Sequence, residues 1–472
     1  MLEKTLLDKL IEDDSPIEAL CGGNHRCGKC KILVRNRKIP IDSAENQFLT
    51  AREIEQGIRL ACFHEWAEGD DIQTVSEDMV ISSEAAPIQN NQFHYRNGYG
   101  AILDIGTTTV VLKLINCRNG QEEDSISFVN PQRAFGADVI SRISAYHQHG
   151  AKLQKILADR IENCILQRNW HINQMIAAGN TTMLHIFLKE DPTPLGHYPF
   201  DVPIIGMQKR SSHELFPNAA QDFSIITFPN FSAYVGGDIV SGIYAYDLDQ
   251  VSDAQLFIDL GTNGEMALCT PHKIIVTATA AGPAFEGVGI KCGGGAVPGA
   301  ISSVKLEPLE ISTIQNERPS CICGSGIVSL AAELVRHQAV SRIGKLKTPE
   351  VDLGNQITFN QRDMQSFQLA KAAVQAGICT LMGFHSDVEN VMIAGGLGQG
   401  IDADDLRTIG VLPSKIQASS VGNSSLYGCY KLLMTEDFER VENIPKKGEV
   451  IDLASHPGFE DAMTDGLYFN DC

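Results

Sequence analysis

Three cysteines fall within one ten-residue stretch of this chain, and a fourth follows at a distance. The stretch from position 21 reads CGGNHRCGKC, so that Cys21, Cys27 and Cys30 form a C-x5-C-x2-C array, and Cys62 lies in GIRLACFHE. Thiolates two and five residues apart can point inward from one tight loop. Gly22, Gly23 and Gly28 let the backbone approach closely enough to send N–H groups toward the sulfurs, which favours the reduced form of a bound metal group. A zinc knuckle is the alternative, although zinc prefers paired C-x2-C arrays around a tetrahedron. His25, Arg26 and Lys29 share the loop, either to tune a potential or dock a partner, or simply as solvated charges. A second chemistry is written in two matching turns. YGAILDIGTTTVVLKLI carries Asp104, Gly106, Thr107, Thr108 and Thr109, and AQLFIDLGTNGEMALC carries Asp259, Gly261, Thr262, Asn263 and Gly264, in register without a gap. Glycine lets such a turn close on phosphate oxygens, N–H and hydroxyl groups donate to them, and an aspartate at the strand end can hold hydrated Mg²⁺. Two such turns facing each other would clamp a triphosphate.

Other stretches offer parts of a site with plainer readings beside them. NQMIAAGNTTMLHIFL has an apolar strand ending at Gly179 and Asn180, with Thr181 and Thr182 opening a helix whose start suits an anion or is an ordinary N-cap. CGSGIVSLAAELV puts Gly324, Ser325 and Gly326 at another helix start, and AAGPAFEGVGI places Gly282 and Glu286 at a loop-to-helix entry. Asp238, in VGGDIV, either orients an attacking water or caps a helix. Cys292, Cys321, Cys323, Cys379 and Cys429 sit in apolar or glycine-rich runs and read mostly as small buried residues.

These residues need elements to hold them. Each D-x-G-T turn joins two apolar runs of strand character, and a repeat at this scale implies duplicated lobes. Around the cysteines, TLLDKLIED and AENQFLTAREIEQ read as helices, and KILVRN and DIQTVSE as strands. The division expected is a cysteine-bearing unit over 1–77, a linker over 78–98 without periodicity, and lobes over 99–252 and 253–472. Composition agrees: 472 residues exceed one ordinary core, and 43% hydrophobic content supports compact folding. A net charge of -20, from 38 basic against 58 acidic side chains with no basic stripe, speaks against nucleic acid as a partner. With no long apolar run and no export signal at the start, no membrane partner and a cytoplasmic location are expected, and the 13 cysteines read as thiols and metal ligands.

The cysteine array resembles the ligand set of plant-type and adrenodoxin-type ferredoxins, which implies a 2Fe-2S cluster on Cys21, Cys27, Cys30 and Cys62. Only twenty residues precede Cys21, so the opening hairpin usual in ferredoxins is missing and a shortened unit is expected. The paired turns resemble those of the acetate and sugar kinase, heat-shock chaperone and actin superfamily. That resemblance implies an α/β fold, a duplicated RNase H-like two-lobed ATPase domain behind a small N-terminal α+β ferredoxin-like domain. By the same resemblance, Gly395, Gly396 and Gly398 of VMIAGGLGQGID fit the adenosine-binding turn. AAGNTTMLHIFL, LGHYPF, YVGGDIVSG, ATAAGPAFEGVGIKCGGGAVPGAI, CICGSGIVSLAAELV, QLAKAAVQAGI, IAGGLGQGID and GNSSLYG together are similar to the reductive activators of corrinoid proteins. What this implies is ATP-dependent transfer of a low-potential electron to a corrinoid methyl-transfer protein, returning Co(II) to Co(I). The implied cofactors are a 2Fe-2S cluster, ATP and Mg²⁺, with a cellular electron donor and a homodimer as further partners. Longer relatives carry another small domain where here about forty residues separate Cys62 from Asp104. A small-molecule kinase and a nucleotide-binding redox sensor without turnover are the alternatives.

Overall fold

A computed structural model describes residues 4–13, 17, 19, 23, 25, 28–49, 51–75, 93–136, 138–261, 263–385, 387–395 and 400–469. The N-terminal unit opens with α1 (Leu6–Glu12), whose Thr5 and Asp8 form a reciprocal capping box. A three-stranded antiparallel sheet follows, made of β1 (Lys31–Val34), β2 (Arg59–Leu60) and β3 (Ile72–Thr74) with β1 at its centre. The helix expected over AENQFLTAREIEQ is two short pieces, a 3-10 turn at Ser43–Gln47 and α2 (Ala51–Glu55). The cause is Glu45. Its buried carboxylate accepts from the backbone N–H of Leu60 at 2.6 Å and lies 2.9 Å from His64 Nε2, which pulls the first piece onto β2 and ends it at Phe48.

The first large sheet contains β4 (Tyr99–Ile105), β5 (Thr109–Asn116), β6 (Gln121–Val129), β7 (Gln174–Gly179), β8 (Gln208–Ser211) and β9 (Ser224–Thr227), in the order β6-β5-β4-β7-β9-β8. β4, β5 and β6 form an antiparallel meander, and β7 and β9 add in parallel. Four helices accompany it: α3 (Val139–Gln167), α4 (Thr181–Phe187), α5 (Ser212–Leu215) and α6 (Gly237–Ala245). The pattern then recurs. β10 (Gln255–Leu260), β11 (Gly264–Cys269) and β12 (Ile274–Thr279) make the second meander. An insertion carries β13 (Ala300–Leu306), β14 (Leu309–Thr313), β15 (Cys321–Ile322), α7 (Gly324–Arg336), the hairpin β16 (Glu350–Asp352) and β17 (Thr358–Asn360), and α8 (Gln361–Met382). β18 (Asn390–Ala394) and, after α9 (Ala403–Thr408), β19 (Gln417–Gly422) then add in parallel, and β20 (Gly448–Val450) flanks β12, giving β19-β18-β10-β11-β12-β20. Three antiparallel strands extended by two parallel ones, twice over, is the duplicated RNase H-like arrangement, so the fold class expected from the sequence holds.

Strands buried on both faces read as unbroken apolar runs, as Ala101–Leu103 and Leu256–Ile258 do. One face of each sheet turns toward the other across α6 and α10 (Ser424–Thr435), where Ile102, Ile176, Phe257, Ala267 and Leu432 share a core. The opposite face of the first sheet shares a core with the N-terminal unit, including Leu6, Ile32 and Leu60. Residues 78–92 of the expected linker, with 76 and 77 before it, lie outside the described residues. From Phe93 the chain docks on the end of α10, where His94 N donates to Met434 O at 2.7 Å.

Candidate functional site

Cys30 enters β1 and Cys62 sits in a 3-10 turn just after β2, so the pairing of these two strands brings the cysteines together. Both are buried, and their sulfurs lie 3.3 Å apart, too far for a disulfide and close enough to converge on one metal group. Ala61 N donates to Cys30 O at 2.8 Å. The His25 ring stacks on Phe63 with centroids 4.3 Å apart and places Nε2 2.9 Å from Cys62 O. Gly28 has φ +67° and a Cβ there would sit 2.5 Å from Phe48 Cβ, so only glycine fits beneath the loop. Cys21, Gly22, Arg26 and Cys27 lie outside the described residues.

The first D-x-G-T turn projects from the β4/β5 edge. Asp104 accepts from Asn423 Nδ2 at 2.7 Å and from Ser425 Oγ at 3.0 Å, both at the start of α10. Burial raises its pKa, and these two donors pull it back. Asn180 caps α4 by accepting from Met183 N at 3.0 Å, and it also donates from Nδ2 to Thr107 Oγ1 at 2.9 Å; Thr181 and Thr182 lie buried in the first turn of that helix. Gly179 ends β7, where a Cβ would meet Ile105 O at 2.8 Å. Gly106 O accepts from Asn130 Nδ2, a Cβ on Gly106 would meet Thr109 O at 2.5 Å, and Thr107 O accepts from the buried Arg142 guanidinium. Thr108 Oγ1 donates to Glu286 Oε2 at 3.0 Å, so one turn touches the other half of the chain.

In the second turn, Gly261 N donates to Asn263 O at 3.1 Å; Thr262 is outside the described residues. Asp259 lies near the end of β10, and the backbone of Gly395 (φ +96°) passes so near that a Cβ there would lie 2.6 Å from Asp259 Oδ1. Gly396 and Gly398 are outside the described residues. Gly282, at φ +75°, opens a 3-10 turn with empty space where its Cβ would stand. Asp238 falls in the first turn of α6, whose N-cap is Gly236, so the N-cap reading of Asp238 does not hold. Its Oδ1 accepts from Ile239 N at 2.9 Å, and its carboxyl group neighbours Glu265, the residue paired with Asp259 across β10 and β11. Gly324, Ser325 and Gly326 do begin α7. They pack against β13 and Gly400, with Gly326 so close to Ile301 O that a Cβ would stand 2.0 Å away.

The cleft is strongly acidic. Burial first, then the charges of Asp238, Asp104 and Glu286, push Asp259 up to about 8. Burial also raises Asp238 and Glu265, with the charge of Asp104 adding to the first and those of Asp238 and Asp259 to the second. Glu265 Oε2 is buried with no hydrogen-bond partner. Carboxylates repelling one another in this way favour a cation or a cation-carrying ligand. Among the described residues no three His, Cys, Asp or Glu side chains converge on one point as a metal-ligating group. Asn423, Ser425, Glu265 and Arg142 were not singled out in the sequence. Only GNSSLYG, and the position of Glu265 next to Gly264, hinted at three of them.

The other cysteines bear out their plain reading. Cys321, Cys323 and Cys429 are buried, Cys292 and Cys379 partly so, and Cys323 Sγ approaches Ile301 O at 3.1 Å rather than turning toward Cys321.

Comparison with known proteins places this geometry. Residues 2–64 match the 2Fe-2S iron-sulfur cluster binding domain, 99–251 the RACo middle region, and 253–471 the C-terminal domain of RACo, the ASKHA domain. Corrinoid activation enzyme RamQ of Eubacterium limosum is 32% identical over 427 residues, covering 79% of this chain and 70% of that protein. The chain belongs to the family of corrinoid reductive activators. The Co(II) methylated amine-specific corrinoid protein reductase of Methanosarcina barkeri, 25% identical over 393 residues, matches 74% of this activator and 72% of its own length. A solved structure of a reductive activator for corrinoid,iron-sulfur protein superimposes with a TM-score of 0.71 at 26% identity, covering 99% of this activator and 95% of that chain. All four cysteines of the array fall within the cluster-binding match, and the two D-x-G-T turns fall one in each of the other two matches. No helix among the activator's described residues is long and apolar enough to cross a membrane.

Proposed function

We propose that this chain is an ATP-dependent activator that passes one electron to a corrinoid protein, returning Co(II) to Co(I) for methyl transfer. One observation carries the reading: thiols converging to 3.3 Å and a carboxylate-lined cleft between paired phosphate turns occur in a single chain. When bound, a 2Fe-2S cluster supplies a carrier of one electron at a time. Cys30 and Cys62, with Cys21 and Cys27, would hold it within a unit spanning 1–77, while Gly28 keeps Phe48 against the loop. A low-potential donor of the cell recharges it, and the activator works in the cytoplasm as a homodimer.

In the cleft between the lobes 99–252 and 253–472, Thr107, Thr108, Thr109 and Asn180 present donors to phosphate. Asp104 and Asp259 would hold the waters of a Mg²⁺ ion that accompanies ATP. Asn423 and Ser425 hold Asp104 in place by donating to its two carboxylate oxygens. Asp238, in the first turn of α6 beside Glu265, is the carboxylate that orients the attacking water and accepts its proton. Gly282 and Gly395 leave room for nucleotide. Hydrolysis then releases a partner held in the state whose cobalt is easier to reduce, a coupling of two binding equilibria.

The test is anaerobic. Iron and acid-labile sulfide are measured, and loss of Co(II) absorbance in an added corrinoid protein is followed with reductant, with and without MgATP. Cobalt reduction that is equally fast without ATP, or a preparation that cannot take up iron, overturns the proposal.

A further inference from the structure

We infer that Lys29 is a positioning residue that ties the cysteine loop to the nucleotide cleft through the glycine-rich segment 287–295, an inference that rests on the function proposed above. Lys29 lies between Gly28 and Cys30, and its Nζ donates to Gly293 O at 2.9 Å, 264 positions away along the chain. The other end of the segment touches the phosphate turn, because Glu286 accepts the Thr108 hydroxyl at 3.0 Å. Between these two contacts the backbone folds onto itself. A Cβ on Gly293 would stand 2.1 Å from Gly287 O, and one on Gly287 would stand 2.5 Å from Gly294 O. Backbone packed this closely moves as a unit rather than absorbing a displacement. Its pivot is the pairing with Ile322, where Gly294 N donates to Ile322 O at 2.9 Å and Ile322 N to Cys292 O at 2.8 Å.

The chemistry at the Thr108 end sets the direction. A phosphate seated in the turn takes the hydroxyl as its own donor and repels the Glu286 carboxylate. Glu286 withdraws, the 287–294 fold swings about Ile322, and Gly293 O leaves Lys29. The Gly28–Cys30 end of the cysteine loop, tied to the second lobe by the Lys29 contact, is then released toward a protein partner. Lys29 acts by where it holds the loop.

Hydrogen exchange of the iron-loaded full chain tests this, comparing peptides over 28–34 and 287–295 with and without a non-hydrolysable ATP analogue and Mg²⁺. In the native protein the analogue is expected to speed exchange in both, by about tenfold over 28–34, the size of one charge-assisted hydrogen bond. In Lys29→Met the 28–34 peptide exchanges fast already and ignores the analogue, while 287–295 still responds; Lys29→Arg restores the native behaviour. Thr108→Val serves as a second variant, expected to loosen 28–34 without any nucleotide. An undiminished response of 28–34 in Lys29→Met overturns the inference. So does a native protein that binds the analogue by calorimetry yet shows no change over 28–34, a result that leaves the proposed function standing. Absence of analogue binding overturns both together.

Discussion

Asp259 offers a quantitative check on the acidic cleft, because replacing it with asparagine should make the nucleotide-free protein more stable as pH rises. Its carboxyl group is pushed from 3.8 up to about 8 by burial and by the neighbouring charges of Asp238, Asp104 and Glu286. The folded chain therefore holds this proton more tightly than the unfolded chain does. The stability it contributes is complete below pH 3.8 and is lost as pH climbs toward 8. At ~1.4 kcal/mol per pH unit the full interval corresponds to ~6 kcal/mol. Water reaching Asp259 through the cleft screens part of that, so about half, ~3 kcal/mol, is expected to appear. Asparagine keeps the shape and does not titrate, and any cost of its buried amide, ~1–3 kcal/mol, is the same at every pH. Relief of Asp238 and Glu265 from a neighbouring charge acts in the same direction. The assay is urea unfolding of native and Asp259→Asn protein in EDTA at pH 5, 6, 7 and 8. Over the three units of that series the difference in unfolding free energy should grow in favour of the variant by ~2 kcal/mol. Added MgATP analogue should stabilise only the native protein. A difference that stays flat with pH, or a variant that binds nucleotide as well as the native chain, would refute the account of the cleft.

Three further outcomes follow from the same geometry. Ser425→Ala removes a donor 3.0 Å from the Asp104 carboxylate, and should cost ~1–2 kcal/mol in urea unfolding and raise the dissociation constant for MgATP. Gly395→Ala forces a side chain into a backbone with φ +96° and to within 2.6 Å of Asp259 Oδ1; calorimetry should show nucleotide affinity reduced by about tenfold or more, with iron content unchanged. Cys62→Ser takes away one of the two converging sulfurs, so iron, sulfide and visible absorption should be largely lost while nucleotide binding persists.

What could be read from the sequence is what local spacing encodes. Each D-x-G-T turn sits between apolar runs that must be strands, so the duplicated lobes and the roles of Asp104 and Asp259 as strand-end carboxylates are visible without any partner. The contacts that organise the site are long-range and leave no local mark. Asn423 and Ser425 reach Asp104 across 319 and 321 positions, and Glu286 reaches Thr108 across 178. Asp238 shows why a local rule misleads here. An aspartate after two glycines reads equally well as an N-cap, yet Gly236 takes that place because its backbone lies against the start of α4, where a Cβ would fall 2.5 Å from Asn180 Cα and Thr181 N. Glycine is therefore required at the cap for packing, and the acid is moved two residues into the helix. There its side chain accepts from the backbone N–H of Ile239 at 2.9 Å and lies beside Glu265. The same close approach holds the start of α6 against Asn180, whose amide donates to Thr107. The carboxylate proposed to orient water and the donors proposed to meet phosphate are thus held by one packing contact, so any side chain at Gly236 must disturb both at once.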